Sequence, residues 1–154
     1  MPFDQQNGID TLDAILRMSE WQSTLAYLKN PPSEGYANPS VDIMAELNNI
    51  RGRVDNGQYQ NEYDFEADIA NTLGRAYDGH FTWDGMAYAG LFRWRRDLDA
   101  GLASVSLDGG APRVYILSEL NATVAAPSPV TTINGQNAFD FLQDQALQSA
   151  YHDP

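Results

Sequence analysis

Cysteine is absent from the 154 residues of this chain. A disulfide scaffold, a thiolate metal site and a cysteine nucleophile are therefore excluded within this sequence. Histidine is scarce as well: His80 and His152 lie far apart, and neither begins a ligand-spaced motif such as His-Glu-x-x-His. We accordingly expect no metal and no organic cofactor, and an oxygen-only Ca²⁺ site stays open as the alternative.

Positive charge is the next shortage, because 9 Lys and Arg face 21 Asp and Glu for a net charge of −12. Such an acidic chain is a poor electrostatic partner for nucleic acid or an anionic membrane, so we expect neither partner. Long apolar runs are also lacking, and no segment is expected to span a membrane. The N-terminus lacks a basic region followed by an apolar core, so it does not have the form of a signal peptide.

What the chain does have is enough apolar residues, 43% of the total, for a sizeable core. In its first 79 residues they recur at helical spacing in three stripes. We predict helices over about 9–30, ended by Pro31-Pro32, from an N-cap at Ser40 to about Val54, and over about 63–77. The stripe residues are Leu12, Ile15, Leu16, Trp21, Leu25 and Leu28; Ile43, Leu47, Ile50 and Val54; and Phe65, Ile69, Leu73 and Ala76.

The apolar period changes from helical to alternating after Gly79. Alternation predicts strands at 80–83 and 91–95, and a β-hairpin joins 102–107 to 113–117 around a glycine turn. A short strand at 130–133 and an Asn-Gly turn then lead into a last helix, whose Phe141 and Leu142 share a face. These elements make the chain α+β.

Most polar clusters favour a structural interpretation. Carboxylates crowd the third predicted helix at Glu62, Asp64, Glu66 and Asp68, where a solvated helix face is expected. A basic cluster around Trp94 comprises Arg93, Arg95 and Arg96. It can bind an anion or stack on an aromatic ring, but pairing with local carboxylates is the expected role in so acidic a chain. Asn121-Ala122-Thr123 is a glycosylation sequon that matters only in a secreted protein.

His80 is the candidate catalytic residue. It follows the helix-ending Asp78-Gly79, at a point where chain geometry fixes a side chain well. Imidazole is the natural general base near neutral pH, although a structural histidine between aromatic residues is a common alternative. Alternation places His80 with Thr82 on one face of the predicted strand and Phe81 with Trp83 on the other. We therefore expect the histidine to point outward.

The order and spacing of several strings resemble fungal tail-specific, or C-terminal processing, serine peptidases with a PDZ-like domain. These enzymes are similar to the chlamydial protease-like activity factor. The likeness covers about 3–154. Its strings are Gln22-Ser23-Thr24-Leu25-Ala26-Tyr27-Leu28-Lys29-Asn30-Pro31-Pro32, Tyr63-Asp64-Phe65, Asp78-Gly79-His80-Phe81, Ser104-Val105-Ser106-Leu107-Asp108-Gly109, Pro112-Arg113-Val114-Tyr115 and Ile133-Asn134-Gly135-Gln136-Asn137-Ala138.

The resemblance implies a helical N-terminal domain at 1–90 and part of a PDZ-like domain at 91–154. It implies that His80 is the general base for a serine nucleophile. The family's serine and its carboxylate partner lie in a C-terminal catalytic domain, and the serines of this chain do not match the nucleophile motif. The implied partners are a peptide or protein substrate and that catalytic domain. Family members are secreted, although this chain shows no signal peptide.

Because nucleophile and base act as a unit, we expect the chain alone to hydrolyse no peptide bond. Its expected function is that of the N-terminal region of a serine endopeptidase. The alternative is a non-catalytic PDZ-like peptide-binding module or pseudo-peptidase, since PDZ-like domains bind extended peptides without catalytic residues.

Overall fold

The computed structural model describes residues 1–36, 38–92, 101–122 and 126–147. The chain divides into two compact units, of which one comprises Met1–Arg93 with Leu147–Pro154 and the other Trp94–Ala146. We call these the first unit and the second unit. The domain boundary between residues 90 and 91 stays a prediction.

The first unit begins with helix α1, Gln5–Ser19, which is capped by Asp4. The Asp4 carboxylate accepts a hydrogen bond from the Asn7 amide at 2.9 Å and so satisfies a free N–H group of the first turn. A separate short helix, α2, comprises Leu25–Lys29. The single helix predicted over 9–30 is therefore wrong.

The break between α1 and α2 lies in a run of polar residues. Trp21 donates to the Met18 carbonyl at 3.2 Å and Gln22 donates to the Ser19 carbonyl at 3.0 Å, so the backbone tightens into i to i+3 bonds. Within this break the Gln22 side chain donates to Thr24 Oγ1 at 2.9 Å. Trp21 is 89% exposed and does not continue the buried stripe.

Helices α3, Ile43–Asp55, and α4, Glu62–Gly74, follow. Asp42 caps α3 by accepting from the Ala45 amide at 3.0 Å, so the predicted N-cap at Ser40 is wrong by two residues. The predicted third helix extended three residues too far, to Tyr77, because Arg75 already caps the end of α4.

The core of the first unit lies where α1 packs on α3 and α3 packs on α4. The apolar stripes predicted for α3 and α4 are confirmed as buried. Burial of each Val, Leu, Ile or Phe side chain in these stripes contributes roughly 1.5–3 kcal/mol. The buried apolar residues of the unit's core are Leu12, Ile15, Leu28, Val41, Ile43, Leu47, Ile50, Val54, Phe65, Ile69, Leu73, Ala76 and Tyr77.

The backbone turns sharply after α4. Tyr77 has φ of 54°, a left-handed conformation that is rare for a bulky residue, and its side chain is buried. The next residues, 80–83, form a turn and irregular backbone. The strand predicted there is wrong because a four-residue alternation also fits a loop whose aromatic side chains anchor it to a core.

A π-helical segment, Met86–Leu91, replaces the start of the second predicted strand. The Gly90 amide donates to the Gly85 carbonyl at 3.3 Å, which is the i to i+5 bond of a π-turn. Leu91 therefore belongs to a helical turn. The rest of the predicted strand, at 93–95, lies outside the described residues.

The second unit contains the predicted β-hairpin, which is confirmed. Strands β1, Leu102–Val105, and β2, Arg113–Ile116, pair antiparallel with Ser104 opposite Val114. Both strands are shorter than predicted. In the connecting turn Gly109 has φ of +75°, which glycine adopts without steric cost.

A short helix α5, Leu117–Leu120, follows β2 and was not predicted. Two-residue strands β3, Thr132–Ile133, and β4, Gln136–Asn137, then flank the Asn-Gly turn. Both turn residues have positive φ, 50° and 82°, as a type I′ hairpin turn requires. The strand predicted at 130–133 is therefore present only in its second half, and a hairpin that was not predicted encloses the turn.

The last helix, α6, spans Ala138–Ala146 and confirms the predicted final helix. Ala138 is its buried residue, and Phe141 and Leu142 are half-buried. The α+β fold class is thus confirmed. None of the helices in the described ranges has the length and apolar character that crossing a bilayer requires.

Candidate functional site

The Asp-Gly-His-Phe string folds on itself as a β-turn. The Phe81 amide donates to the Asp78 carbonyl at 3.0 Å, which closes the four-residue turn. The Asp78 carboxylate accepts from the His80 amide at 2.9 Å, the bond by which Asp commonly stabilises turns. The local sequence thus fixes the backbone of His80.

His80 points into solvent. Its side chain has a relative exposure of 101%, whereas Phe81 and Trp83 pack against the core of the first unit. This is the outward orientation expected for His80, although a turn rather than a strand produces it. A ring so placed is accessible to a reacting group.

The Asp78 carboxylate also faces the His80 ring. Its Oδ1 lies 3.3 Å from Nδ1 of the imidazole. In the tautomer that carries its proton on Nδ1, the ring donates to Asp78 and leaves Nε2 as a free acceptor. Hydrogen bonds from the His80 amide and from Gln22 hold the pKa of the Asp78 carboxyl below its usual value, so this group stays ionised.

Gln22 brings a distant part of the sequence to this turn. Its Nε2 donates to Asp78 Oδ2 at 3.2 Å and to Thr24 Oγ1 at 2.9 Å. Gln22 lies in the break between α1 and α2, so the interruption of the predicted helix places its side chain. Two of the strings that carry the family resemblance, 22–32 and 78–81, therefore meet through a hydrogen bond between side chains.

Glu66 corrects the predicted solvated face of α4. It is 4% exposed, and its carboxylate accepts from the Tyr88 amide at 2.6 Å. Asp64 is exposed as predicted, whereas Glu62 and Asp68 are half-buried. Glu66 therefore holds the π-helical segment to α4, a role that the acidic composition of the helix did not predict.

A groove of about 340 Å³ lies in the second unit, between the start of β2 and the start of α6. Val130 donates to the Val114 carbonyl at 2.8 Å and Ala138 donates to the Thr131 carbonyl at 3.1 Å, so this segment ties β2 to α6. The groove is mainly apolar. Its lining residues are Pro112, Arg113, Val114, Pro129, Val130, Thr131, Asn137, Ala138 and Phe139.

Arg113 gives this groove a positive charge. It is exposed, and it is the only Lys or Arg in the described part of the second unit. No described carboxylate pairs with it, whereas Lys29, Arg51, Arg53 and Arg75 of the first unit all form ion pairs. The groove thus carries a cation that no carboxylate of the described residues neutralises.

Several other candidates from the sequence lie outside the part of the chain that the structure describes. Arg93, Arg95 and Arg96 lie outside the described residues, as do Thr123 of the sequon and His152. Among the described residues, no three His, Cys, Asp or Glu side chains are grouped so that they could hold a metal ion.

The sequence pointed to His80 but not to the partners of Asp78. The sequence does contain a signal for the turn. An Asp side chain commonly accepts a hydrogen bond from the backbone amide two residues further on, and Asp78 precedes His80 by two residues. No local signal pointed to Gln22, because its partner is 56 residues away.

Two comparisons with known proteins found matches. Residues 93–154 match the family model of the CPAF-like PDZ domain. Two proteins of Diaporthe leptostromiformis, the Peptidase S41 family proteins phomP1′ and phomP1, are each 35% identical to this chain over 130 residues. No solved structure matches.

The chain spans only part of these relatives. The match covers 80% of this chain and 19% of each Diaporthe protein. The predicted resemblance is confirmed at this level: the chain is similar to part of two Peptidase S41 family proteins, and its residues 93–154 are similar to the CPAF-like PDZ domain.

Proposed function

We propose that this S41-like chain supplies the general base, His80, to a serine peptidase site whose nucleophile lies outside these 154 residues. The observation that carries the proposal is an exposed imidazole whose Nδ1 faces an ionised carboxylate, in the string that the family resemblance marks. None of the serines in this chain matches the family's nucleophile motif.

The chemistry at His80 follows from its free nitrogen. Nε2 accepts the proton of the attacking serine hydroxyl as the oxygen bonds to the peptide carbonyl carbon. The resulting imidazolium gives that proton to the leaving amine as the peptide bond breaks. His80 is regenerated and Asp78 remains ionised throughout.

A chimera tests this role. In it, the present chain replaces the matching segment of the Diaporthe relative phomP1. The intact chimera is expected to cleave casein. His80→Ala should lower the rate by about 10²–10⁴-fold, the usual contribution of a general base.

Thr82→Ala is the matched control, because Thr82 is exposed two residues from His80. It should leave the rate unchanged. An active chimera that keeps its rate after His80→Ala would rule out His80 as the base and leave the peptide-binding module as the function of this chain.

We propose further that the groove between β2 and α6 binds an extended peptide segment. The match to a PDZ domain supports this, together with the apolar lining and the charge of Arg113, which pairs with no described carboxylate. An extended peptide would place apolar side chains in the groove and a carboxylate beside the Arg113 guanidinium.

Peptide binding can be measured by fluorescence anisotropy with labelled apolar peptides that end in a free or an amidated terminus. Losing one charge-assisted hydrogen bond is worth about 1.5–3 kcal/mol, so Arg113→Gln should weaken binding of the free acid at least about tenfold. Arg17→Gln in the first unit is the control. Equal affinity for both peptides, unaffected by Arg113→Gln, would contradict a carboxylate contact.

The domain boundary and the location of the protein complete the proposal. We assign the helical domain to 1–90 and part of a PDZ-like domain to 91–154, and we expect secretion because family members are secreted. Limited proteolysis should cut first near residue 90, and a first cut within α3 or α4 would argue against that boundary.

A further inference from the structure

We infer that Asp78 is a positioning residue for His80: it fixes the imidazole in the tautomer with the proton on Nδ1, and Gln22 fixes Asp78. This inference rests on the proposed role of His80. It adds a carboxylate within the same turn, whereas the family's carboxylate partner lies in the catalytic domain.

The geometry that carries the inference uses both oxygens of one carboxylate. Oδ1 faces the amide nitrogen and Nδ1 of His80 at 2.9 and 3.3 Å. Oδ2 accepts from Gln22 at 3.2 Å. A carboxylate held at both ends cannot rotate away from the ring without losing a bond to Gln22.

The tautomer matters because a general base must present a lone pair. With the proton on Nδ1, the lone pair of Nε2 points into solvent, where a serine hydroxyl can approach. With the proton on Nε2 the ring would present a donor to the nucleophile and could not take its proton. An ionised Asp78 favours the first arrangement and stabilises the imidazolium that forms after proton transfer.

The ionised state of Asp78 also suits it to this role. Its carboxyl pKa is lowered by the bonds from the His80 amide and Gln22, which keeps it an acceptor at neutral pH. The Gln22 amide is itself oriented by Thr24. The break between α1 and α2 thus contributes to the histidine turn through a chain of three side chains.

The test is a ¹⁵N NMR measurement of the neutral His80 ring in the 154-residue chain, with His152→Gln used to assign the signals. The expected result is a ring whose Nδ1 has the shift of a protonated nitrogen and whose Nε2 has that of an unprotonated one. Asp78→Ala should move the equilibrium toward the Nε2–H tautomer, and Gln22→Ala should do so in part.

Asp84→Ala is the matched control, since Asp84 is an exposed carboxylate four residues from His80. A wild-type ring that is mainly Nε2–H overturns the inference even if Asp78→Ala does not fold, as does a tautomer ratio unaffected by Asp78→Ala. Because no substrate is present, this result is independent of whether the chimera is active.

Discussion

The neighbours of His80 in sequence fix its backbone and leave its ring in solvent. The Asp78 carboxylate holds its backbone and faces its ring, while Phe81 and Trp83 anchor the following segment to the core. The ring itself packs against nothing that its removal would expose. This exposure favours the chemical role proposed for His80 over a structural role.

Removal of the ring tests that distinction. His80→Ala should change the free energy of unfolding by no more than about 0.5 kcal/mol, as at other exposed sites. Urea unfolding measures this, and diethylpyrocarbonate should modify His80 in the native chain. A loss above about 1 kcal/mol together with a protected ring would identify a core histidine instead.

The lowered pKa of Asp78 makes the free energy of unfolding depend on pH. Because its folded pKa lies below the ordinary 3.8, its contribution is fully present above pH 3.8 and is lost as the pH falls through the folded value. Asp78→Ala should thus be less stable than wild type at pH 7, with the gap narrowing below pH 4.

Urea unfolding at pH 7, 5, 4 and 3 checks this, with Asp84→Ala as the control for loss of an exposed carboxylate. A gap that stays constant from pH 7 to pH 3 would show that the ionised Asp78 carboxylate does not stabilise the fold.

Among the helices and strands, the spacing of apolar residues predicted which side chains are buried better than it predicted where each helix or strand ends. Ile43, Leu47 and Val54 are buried as their spacing required. The break at 20–24 escaped prediction because Leu25 and Leu28 continue the helical spacing beyond it. The irregular segment at 80–83 alternates like a strand, although its pattern comes from two aromatics that anchor a loop.

The π-helical segment offers a test of how elements are held together. A Cβ on Gly85 would overlap the Glu66 carboxyl group and lie 2.7 Å from Cη2 of Trp83. Glu66 is buried and bonded to the Tyr88 amide, so moving its carboxyl group aside would break that bond. Gly85→Ala should therefore cost about 1–3 kcal/mol, the usual range for overpacking.

Gly90→Ala is the matched control in the same segment, because its Cβ would lie 3.7 Å from Met86 Cγ, an ordinary contact. Its unfolding midpoint should be unchanged or slightly raised. Equal midpoints for the two variants would mean that Glu66 does not pack against Gly85.

At the scale of the molecule, the sequence predicted an α+β chain with a helical part and a PDZ-like part, and it singled out His80. The sequence could not predict the contact of Gln22 with Asp78, because a hydrogen bond between residues far apart in the chain produces no repeating pattern of residue types. It also missed the buried Glu66, since a carboxylate on a helix carries the same local signal whether it is exposed or bound to an amide.

The division of labour proposed for the whole molecule predicts that the 154-residue chain alone cleaves no casein. A base without its nucleophile provides no acyl transfer. Incubation of the purified chain with fluorescent casein measures this directly. Cleavage that His80→Ala abolishes would place a nucleophile within this chain and contradict the proposal.

The most direct test of the central claim is the reactivity of the serine that His80 is proposed to activate. In the chimera with phomP1, the rate of serine labelling by a fluorophosphonate probe reports removal of the serine proton without substrate binding or product release. Rapid labelling is expected in the intact chimera, and His80→Ala should slow labelling by about 10²–10⁴-fold. Equal labelling rates in the two proteins would contradict the central claim.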